Sequence, residues 1–347
     1  MRAAKALSRA QIIQRLANLP AGFHVLLVLA TALALFAPGF LNWTNLSNVS
    51  REASILALAA FGQAIIILVG GIDLSVGSSV GLMSVVIVLS IHFGTPAAMA
   101  IGAVVGITVG AINGLLVARF EVPPFLVTLG MLAGLQGLAG VLVGGIPVEA
   151  PPGGAFSWPS SGSIGPFPVP LVLAVIGFAA LGSILRFTVF GRTWFLVGAN
   201  PRAAAAAGLR VRTSLFLAYL VGAMFVAVAG IILTSRVHSG QPNLFPTLPF
   251  AAIAACAIGG LQLTGGVASA SRVIVGVLVI ALAENGLQLL DFSSATQLVF
   301  IGTLTVLAVL AQQSRRGNKK FSLSKRSVRR RTPHANPDFT PRVEETP

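Results

Sequence analysis

Apolar residues come in long unbroken runs along this chain, and polar residues are confined to short stretches between them. Ten runs stand out, at about 20–38, 53–70, 76–93, 96–117, 124–145, 168–185, 213–234, 249–263, 273–290 and 296–312. Most lie in the roughly 17–25 residue range that crosses a ~30 Å hydrocarbon core as a helix. The pattern predicts an all-α polytopic membrane protein with about ten transmembrane helices. The eighth run is short and reads as a half-helix.

One stretch interrupts the pattern from inside: Gly70-Gly71-Ile72-Asp73-Leu74-Ser75-Val76-Gly77-Ser78-Ser79. It sets a carboxylate between two membrane-length runs, where a charge costs roughly 2.5–3.5 kcal/mol on insertion scales. Glycines remove Cβ atoms where backbone must turn or approach a neighbour. The serine hydroxyls can satisfy backbone groups freed by a break in a helix. Asp73 has two compatible readings. It caps the following helix by accepting N–H groups near Ser75 and Val76, or it belongs to a helix break that lines a translocation path. A broken-helix segment near 70–78 thus offers Gly70, Gly71, Asp73, Ser75, Gly77 and Ser78 as candidate path residues. Gly259-Gly260-Leu261-Gln262-Leu263-Thr264 echoes its start, a weak internal repeat of the kind transporters carry.

Composition agrees with the membrane reading. Of 347 residues 55% are hydrophobic and only 9% charged, and mean hydropathy is +0.89, whereas soluble domains run near 25% charged. The net charge of +14 does not point to nucleic acid, because the basic residues cluster at the two ends. With the N-terminus in the cytoplasm and an even number of crossings, all the Lys and Arg residues except Arg51 and Arg236 fall inside, as the positive-inside rule requires. Residues 1–19 are then a cytoplasmic basic start leading into an uncleaved first span, and 20–312 the transmembrane domain. Residues 313–347 read as a disordered basic cytoplasmic tail touching anionic lipid. The outside segment 149–162 is rich in turn formers, with Trp158 as an interfacial anchor. Asn42, Asn45 and Asn48 fit the glycosylation sequon but read here as interfacial caps.

The cytoplasmic loop 186–212 writes a short helix in full. Asn200 is a good N-cap, Pro201 suits the first helical position, and the alanines that follow have the highest helix propensity. Gly208 can take the left-handed conformation that ends a helix. Two turns are marginal alone in water, so the segment reads as a docking helix for another protein, or else as a surface helix held near lipid phosphates by its arginines.

These residues carry a resemblance. Gly71-Ile72-Asp73-Leu74-Ser75-Val76-Gly77-Ser78, Val122-Pro123-Pro124-Phe125-Leu126-Val127-Thr128-Leu129-Gly130, Gly198-x-Asn200-x-x-Ala203-Ala204-x-x-Ala207-Gly208-Leu209 and Glu284-Asn285-Gly286-Leu287-Gln288 resemble the permease subunits of bacterial ABC importers of the ribose and monosaccharide type. The resemblance runs from about Leu35 to Gln312 and reaches branched-chain amino-acid permeases more distantly. It implies an inner-membrane permease paired with a second copy, as a homodimer or heterodimer. It also implies cytoplasmic ABC ATPase subunits and a periplasmic solute-binding protein. By the same resemblance, Gly198, Asn200, Ala203, Ala204, Ala207 and Gly208 form the ATPase-coupling segment. The chain holds no G-x-x-x-x-G-K-[ST] phosphate loop, so a separate subunit would hydrolyse the ATP.

Glu284 is a second carboxylate inside an apolar run, and Gln288 shares its helix face, so the two extend the candidate path. A packing hydrogen bond between helices is the competing role. The rival function is a proton- or sodium-coupled secondary transporter using Asp73 and Glu284. The histidines are scattered and the single cysteine, Cys256, sits in an apolar run, so neither metal nor other cofactor is expected.

Overall fold

The computed structural model describes residues 21–310 apart from 152, 294, 308 and 309. The basic start, the C-terminal tail and the siding of the termini lie outside the described residues. The protein is mostly helical. In chain order the helices are α1 (Ala21–Phe36), α2 (Trp43–Leu68), α3 (Val76–Leu89), α4 (Thr95–Arg119) and α5 (Pro124–Val143). They continue with α6 (Gly154–Ser161), α7 (Val169–Phe187), α8 (Val189–Ala199), α9 (Pro201–Ala206), α10 (Val211–Val237), α11 (Leu248–Ile258) and α12 (Ala270–Leu289). The apolar helix α13 (Ala295–Leu307) follows. Six of these, α2, α4, α5, α7, α10 and α12, are long and apolar enough to cross a membrane.

α2 is the axis of the molecule. From Ala53 to Leu68 every residue is buried, which a helix achieves only when neighbours surround it on all sides. Around it, α7 brings Ala174 and Leu181, α10 brings Phe225 and Ala229, α11 brings Ala252 and Ala255, and α12 brings Val273 and Val277. Phe61 and Phe225 meet edge to face, centroids 6.0 Å apart. Within a membrane this packing is favoured by van der Waals contact rather than by removal from water, so close backbone approach matters. Gly62 on α2 supplies it, since a Cβ there would stand 3.2 Å from the carbonyl carbon of Gly222 on α10.

α2 starts ten residues before the apolar run. Asn42 caps it, accepting the Thr44 N–H at 3.0 Å, so the polar stretch Thr44–Glu52 is helical, and the side chains of Asn45, Ser50, Arg51 and Glu52 find partners. Asn45 and Asn48 lie inside the helix rather than capping it. The Asn45 amide exchanges two hydrogen bonds with Asn285 of α12, at 3.0 and 2.8 Å. The turn-rich segment 149–162 also differs from expectation, because it contains α6, with Trp158 about half exposed. Two-residue strands pair beside it, Val148 with Gly240 and Ser163 with Pro168, a minor addition to an otherwise helical fold. α11 has 11 residues, the half-helix that the short eighth run predicts.

Among the described residues two ion pairs mark opposite ends of α10. Arg212 meets Glu121 at its start and Arg236 meets Glu52 at its end, each at 2.6 Å. Arg51 donates to the Ser160 carbonyl at the same end as Arg236, so the two arginines set apart by the charge pattern do lie together.

Candidate functional site

α2 stops at Leu68 because Gly70 turns left-handed (φ 86). The Gly70 N–H then returns to the Ile67 carbonyl and the Gly71 N–H to Ile66, both at 2.9 Å, closing the free carbonyls of the helix end. Residues 71–74 run without helix, and α3 begins at Val76. The break is thus real and spans 69–75.

Side chains from four helices meet the polar groups of the break. Asp73 is buried at 7% exposure, and its carboxylate accepts the Ser75 N–H at 2.8 Å and the Ser75 hydroxyl at 2.6 Å. This is the capping role that the sequence suggests, with Ser75 rather than Val76 as donor. Ser75 in turn accepts from the Asn113 amide of α4 at 2.9 Å. Gln63, one turn below the end of α2, has its amide 3.1 Å from both the Asp73 carbonyl and the Asp73 N–H, and the amide orientation assigned from these partners donates to the first and accepts the second. Thr128 of α5 donates to the Ile72 carbonyl at 3.2 Å. Ser78 donates to the Ser75 carbonyl at 3.0 Å. Gly77 lets the first turn of α3 meet the Phe245 carbonyl, 2.6 Å from where a Cβ would stand. Gln63 and Asn113 carry no special signal in sequence beyond being polar in apolar runs, and Thr128 stands in the stretch 122–130 with nothing there to name its partner.

Two glycines at the break have different jobs. Gly70 carries the left-handed backbone, whereas Gly71 does not. A Cβ on Gly71 would instead press on the Tyr219 hydroxyl of α10 at 2.6 Å.

The break is wired to the loop helix by backbone. Gly198, near the end of α8, has no room for a Cβ because the Leu68 carbonyl and the Gly266 N–H already sit there. Those two groups hydrogen bond to each other at 2.9 Å. A Cβ on Gly265 would lie 2.8 Å from the Gly198 carbonyl oxygen and 3.0 Å from the Gly70 nitrogen. The end of α2, the end of α8 and the turn 264–266 therefore meet at one point.

Beyond that point α9 forms as its sequence dictates. Asn200 Oδ1 accepts the Ala203 N–H at 3.1 Å, Pro201 opens the helix and Gly208 is left-handed (φ 79). Ala203, Ala205, Ala206 and Ala207 are exposed, but Ala204 is buried at 5%. It faces its own chain, which leaves Ala203 and Ala207 among the exposed positions of the segment. α8, capped by the Thr188 hydroxyl on Gly191 at 3.0 Å, is a helix that the loop reading does not anticipate.

Glu284 and Gln288 are not brought to the break. Asn285, next to Glu284, bonds Asn45 near the start of α2, while Asp73 follows the other end of that helix. α2 is 26 residues long, a rise of about 39 Å. Glu284 is partly buried and Gln288 exposed. Among the described residues no three His, Cys, Asp or Glu side chains group as metal ligands. The site is therefore a buried polar helix break beside a short, exposed capped helix.

Residues 45–309 match the family described as branched-chain amino acid transport system / permease component. The chain belongs to this permease family. The ribose import permease protein RbsC of Bacillus subtilis (strain 168) is 36% identical, covering 84% of this chain and 92% of that protein. The L-arabinose ABC transporter permease protein AraH of Azospirillum brasilense is 32% identical over 85% and 88%. The galactose/methyl galactoside import permease protein MglC of Escherichia coli (strain K12) is 31% identical over 86% and 95%. No solved structure gives a significant match. The permease is thus a multi-pass membrane subunit of a transporter and not an enzyme.

Proposed function

We propose that this permease forms the membrane path of an ABC importer for a sugar, driven by an ATPase that docks on α9. Its relatives named for ribose, arabinose and galactose support the substrate class. The observation that carries the ATPase reading is the capped helix α9, which presents Ala203 and Ala207 outward while its root at Gly198 touches the break. Asp73, Ser75, Gly77 and Ser78 then belong to the moving part of the path. The separation of Asp73 from Glu284 argues against a paired-carboxylate ion relay.

In this reading the four shorter apolar helices α1, α3, α11 and α13 join the six long ones to give ten crossings, both termini cytoplasmic. α3 has 14 residues, about 21 Å of helix, and the extended stretch 71–75 completes its crossing. The second permease copy seats on α5, where Gly130, Gly134 and Gly137 have nothing within 4 Å of a Cβ position. Open glycines on a lipid-exposed helix allow the close approach that membrane helices use. A periplasmic binding protein delivers the sugar.

The test is ATPase co-purification and substrate-stimulated hydrolysis for wild type, Ala203→Glu and Ala207→Glu. Both variants keep the helix, since Ala and Glu differ by only a few tenths of a kcal/mol in propensity. Each should cut bound ATPase at least tenfold while leaving the permease inserted. Undiminished ATPase binding in both would refute docking on α9.

A further inference from the structure

A cavity of about 340 Å³ lies between the break, the start of α10 and the root of α9. We propose that it is a binding site, within a single permease chain, for one small neutral polyhydroxyl molecule of monosaccharide size. The volume is at the lower end of the roughly 300–1,000 Å³ typical of ligand pockets, so the occupant is small. Gly70 and Gly71 form one wall and Pro201, the first residue of α9, borders another. Val117, Val122 and Pro123 offer flat apolar contacts suited to the C–H faces of a sugar ring.

Three polar groups complete it. Tyr219 is in the wall, and its buried hydroxyl, beside Gly71, has no hydrogen-bond partner. An unmet buried hydroxyl is destabilising, and a ligand hydroxyl reached through a small shift at Gly71 would relieve it. Glu121 and Arg212 stand at the mouth, paired to each other at 2.6 Å and exposed at 68% and 62%. Such an exposed pair contributes little by itself, so each partner is free to turn to a ligand hydroxyl. Glu121 holds a left-handed backbone (φ 57), uncommon for a residue other than glycine. Because the two charges cancel, the site suits a neutral ligand and not a phosphate or carboxylate.

The placement implies feedback. A ligand wedged between the break and α9 would hold both in one arrangement, so sugar accumulated on the α9 side would slow further turnover. That consequence rests on the ATPase reading above; the binding itself does not.

The test uses the full-length permease in lipid nanodiscs, without binding protein, titrated with D-ribose, L-arabinose, D-galactose and ribose 5-phosphate while thermal unfolding is followed. At least one neutral sugar should raise the midpoint saturably, and ribose 5-phosphate should bind more weakly. Tyr219→Phe removes only an unpaired hydroxyl, so the protein stays folded, and should raise the half-saturating concentration about tenfold. Val122→Phe should fill the cavity and abolish the shift. No shift with any neutral sugar, tighter binding of the phosphate, or titrations unchanged in Tyr219→Phe would each overturn the proposal. ATPase co-purification from the same preparations keeps the two readings apart. Bound ATPase without sugar binding sinks only the cavity, and sugar binding without ATPase sinks only the docking helix.

Discussion

The break after α2 and the turn after α11 are two solutions to one local problem. Each helix ends in a left-handed glycine, Gly70 at φ 86 and Gly260 at φ 84. In each, that glycine and the next residue return N–H groups to the last turn: Gly70 and Gly71 to Ile67 and Ile66, Gly260 and Leu261 to Ala257 and Cys256. The matching bonds align Gly70 with Gly260, one residue away from the alignment that the echoed hexapeptides suggest. In this register Asp73 corresponds to Leu263, and Gln63 to Ile253. The first break is thus held by side chains that reach it from α2, α4 and α5. At the second, backbone bonds run from Gly265 to Gln262 and from Gly266 to Leu68, both at 2.9 Å. Polar side chains converge on the first break, whereas at the second Gly265 and Gly266 leave no room for a Cβ, which would lie 2.8 and 2.9 Å from backbone atoms of Gly198 and Ala199.

The largest effect should come where the two turns touch. Gly198→Val places a branched Cβ where the Leu68 carbonyl and the Gly266 N–H already sit. Overpacking costs about 1–3 kcal/mol, and loss of the Leu68–Gly266 bond adds roughly 1 kcal/mol. The expected result is a fall of about 3 kcal/mol or more, seen as poor recovery of monodisperse protein and a lower unfolding midpoint. Recovery and midpoint equal to wild type would mean that the two turns are not mechanically joined.

How far this site was legible in sequence follows from how local each part is. α9 can be read residue by residue because cap, body and stop all lie within Asn200–Gly208. Asp73 announces itself as a charge between apolar runs, and its cap partner, Ser75, is two residues away. The remaining partners are remote: Asn113 is 38 residues from Ser75 and Thr128 is 56 from Ile72. A lone amide or hydroxyl in an apolar helix has no pattern that names its partner. The Gly198–Leu68–Gly266 junction is invisible for a stronger reason, since it is made of backbone atoms and glycines that are common throughout the chain. The early start of α2 was hidden because hydropathy sees Thr44–Glu52 as polar, although Asn42 caps it as a helix. The buried face of Ala204 depends on how α9 sits against its own chain, which alanine repetition cannot tell.

A second measurement sharpens the contrast between the two ways of holding a turn. Gln63→Ile gives the first helix the residue found at the matching place in α11. It leaves the Asp73 N–H and carbonyl without their partner, at about 1–3 kcal/mol. Ile253→Leu, a volume-conserving change at the matching position, should cost less than about 1.5 kcal/mol. Thermal unfolding of the two variants in the same detergent compares them directly. Equal losses would show that the polar clamp on Asp73 contributes nothing beyond packing.

The smallest expected difference tests the alignment itself. Gly70→Ala and Gly260→Ala each put a Cβ on a left-handed residue, which costs an L-amino acid roughly 1–2 kcal/mol. Neither new methyl is crowded: the atom found near Gly70 is the Thr264 carbonyl oxygen at 3.7 Å, and nothing lies within 4 Å at Gly260. Backbone strain is then the whole effect, and the two losses should agree within about 0.5 kcal/mol, the scatter expected for independent sites. Gly259→Ala separates this register from the hexapeptide alignment. Gly259 is right-handed (φ −62), so it carries no left-handed strain, but a Cβ there meets the Arg272 carbonyl, with its carbon at 2.8 Å. Its loss should therefore track contact with α12, being relieved when α12 shifts, while the losses at Gly70 and Gly260 do not change. If Gly70→Ala matched Gly259→Ala instead of Gly260→Ala, the repeat would follow the sequence echo and the correspondence of Asp73 with Leu263 would fall.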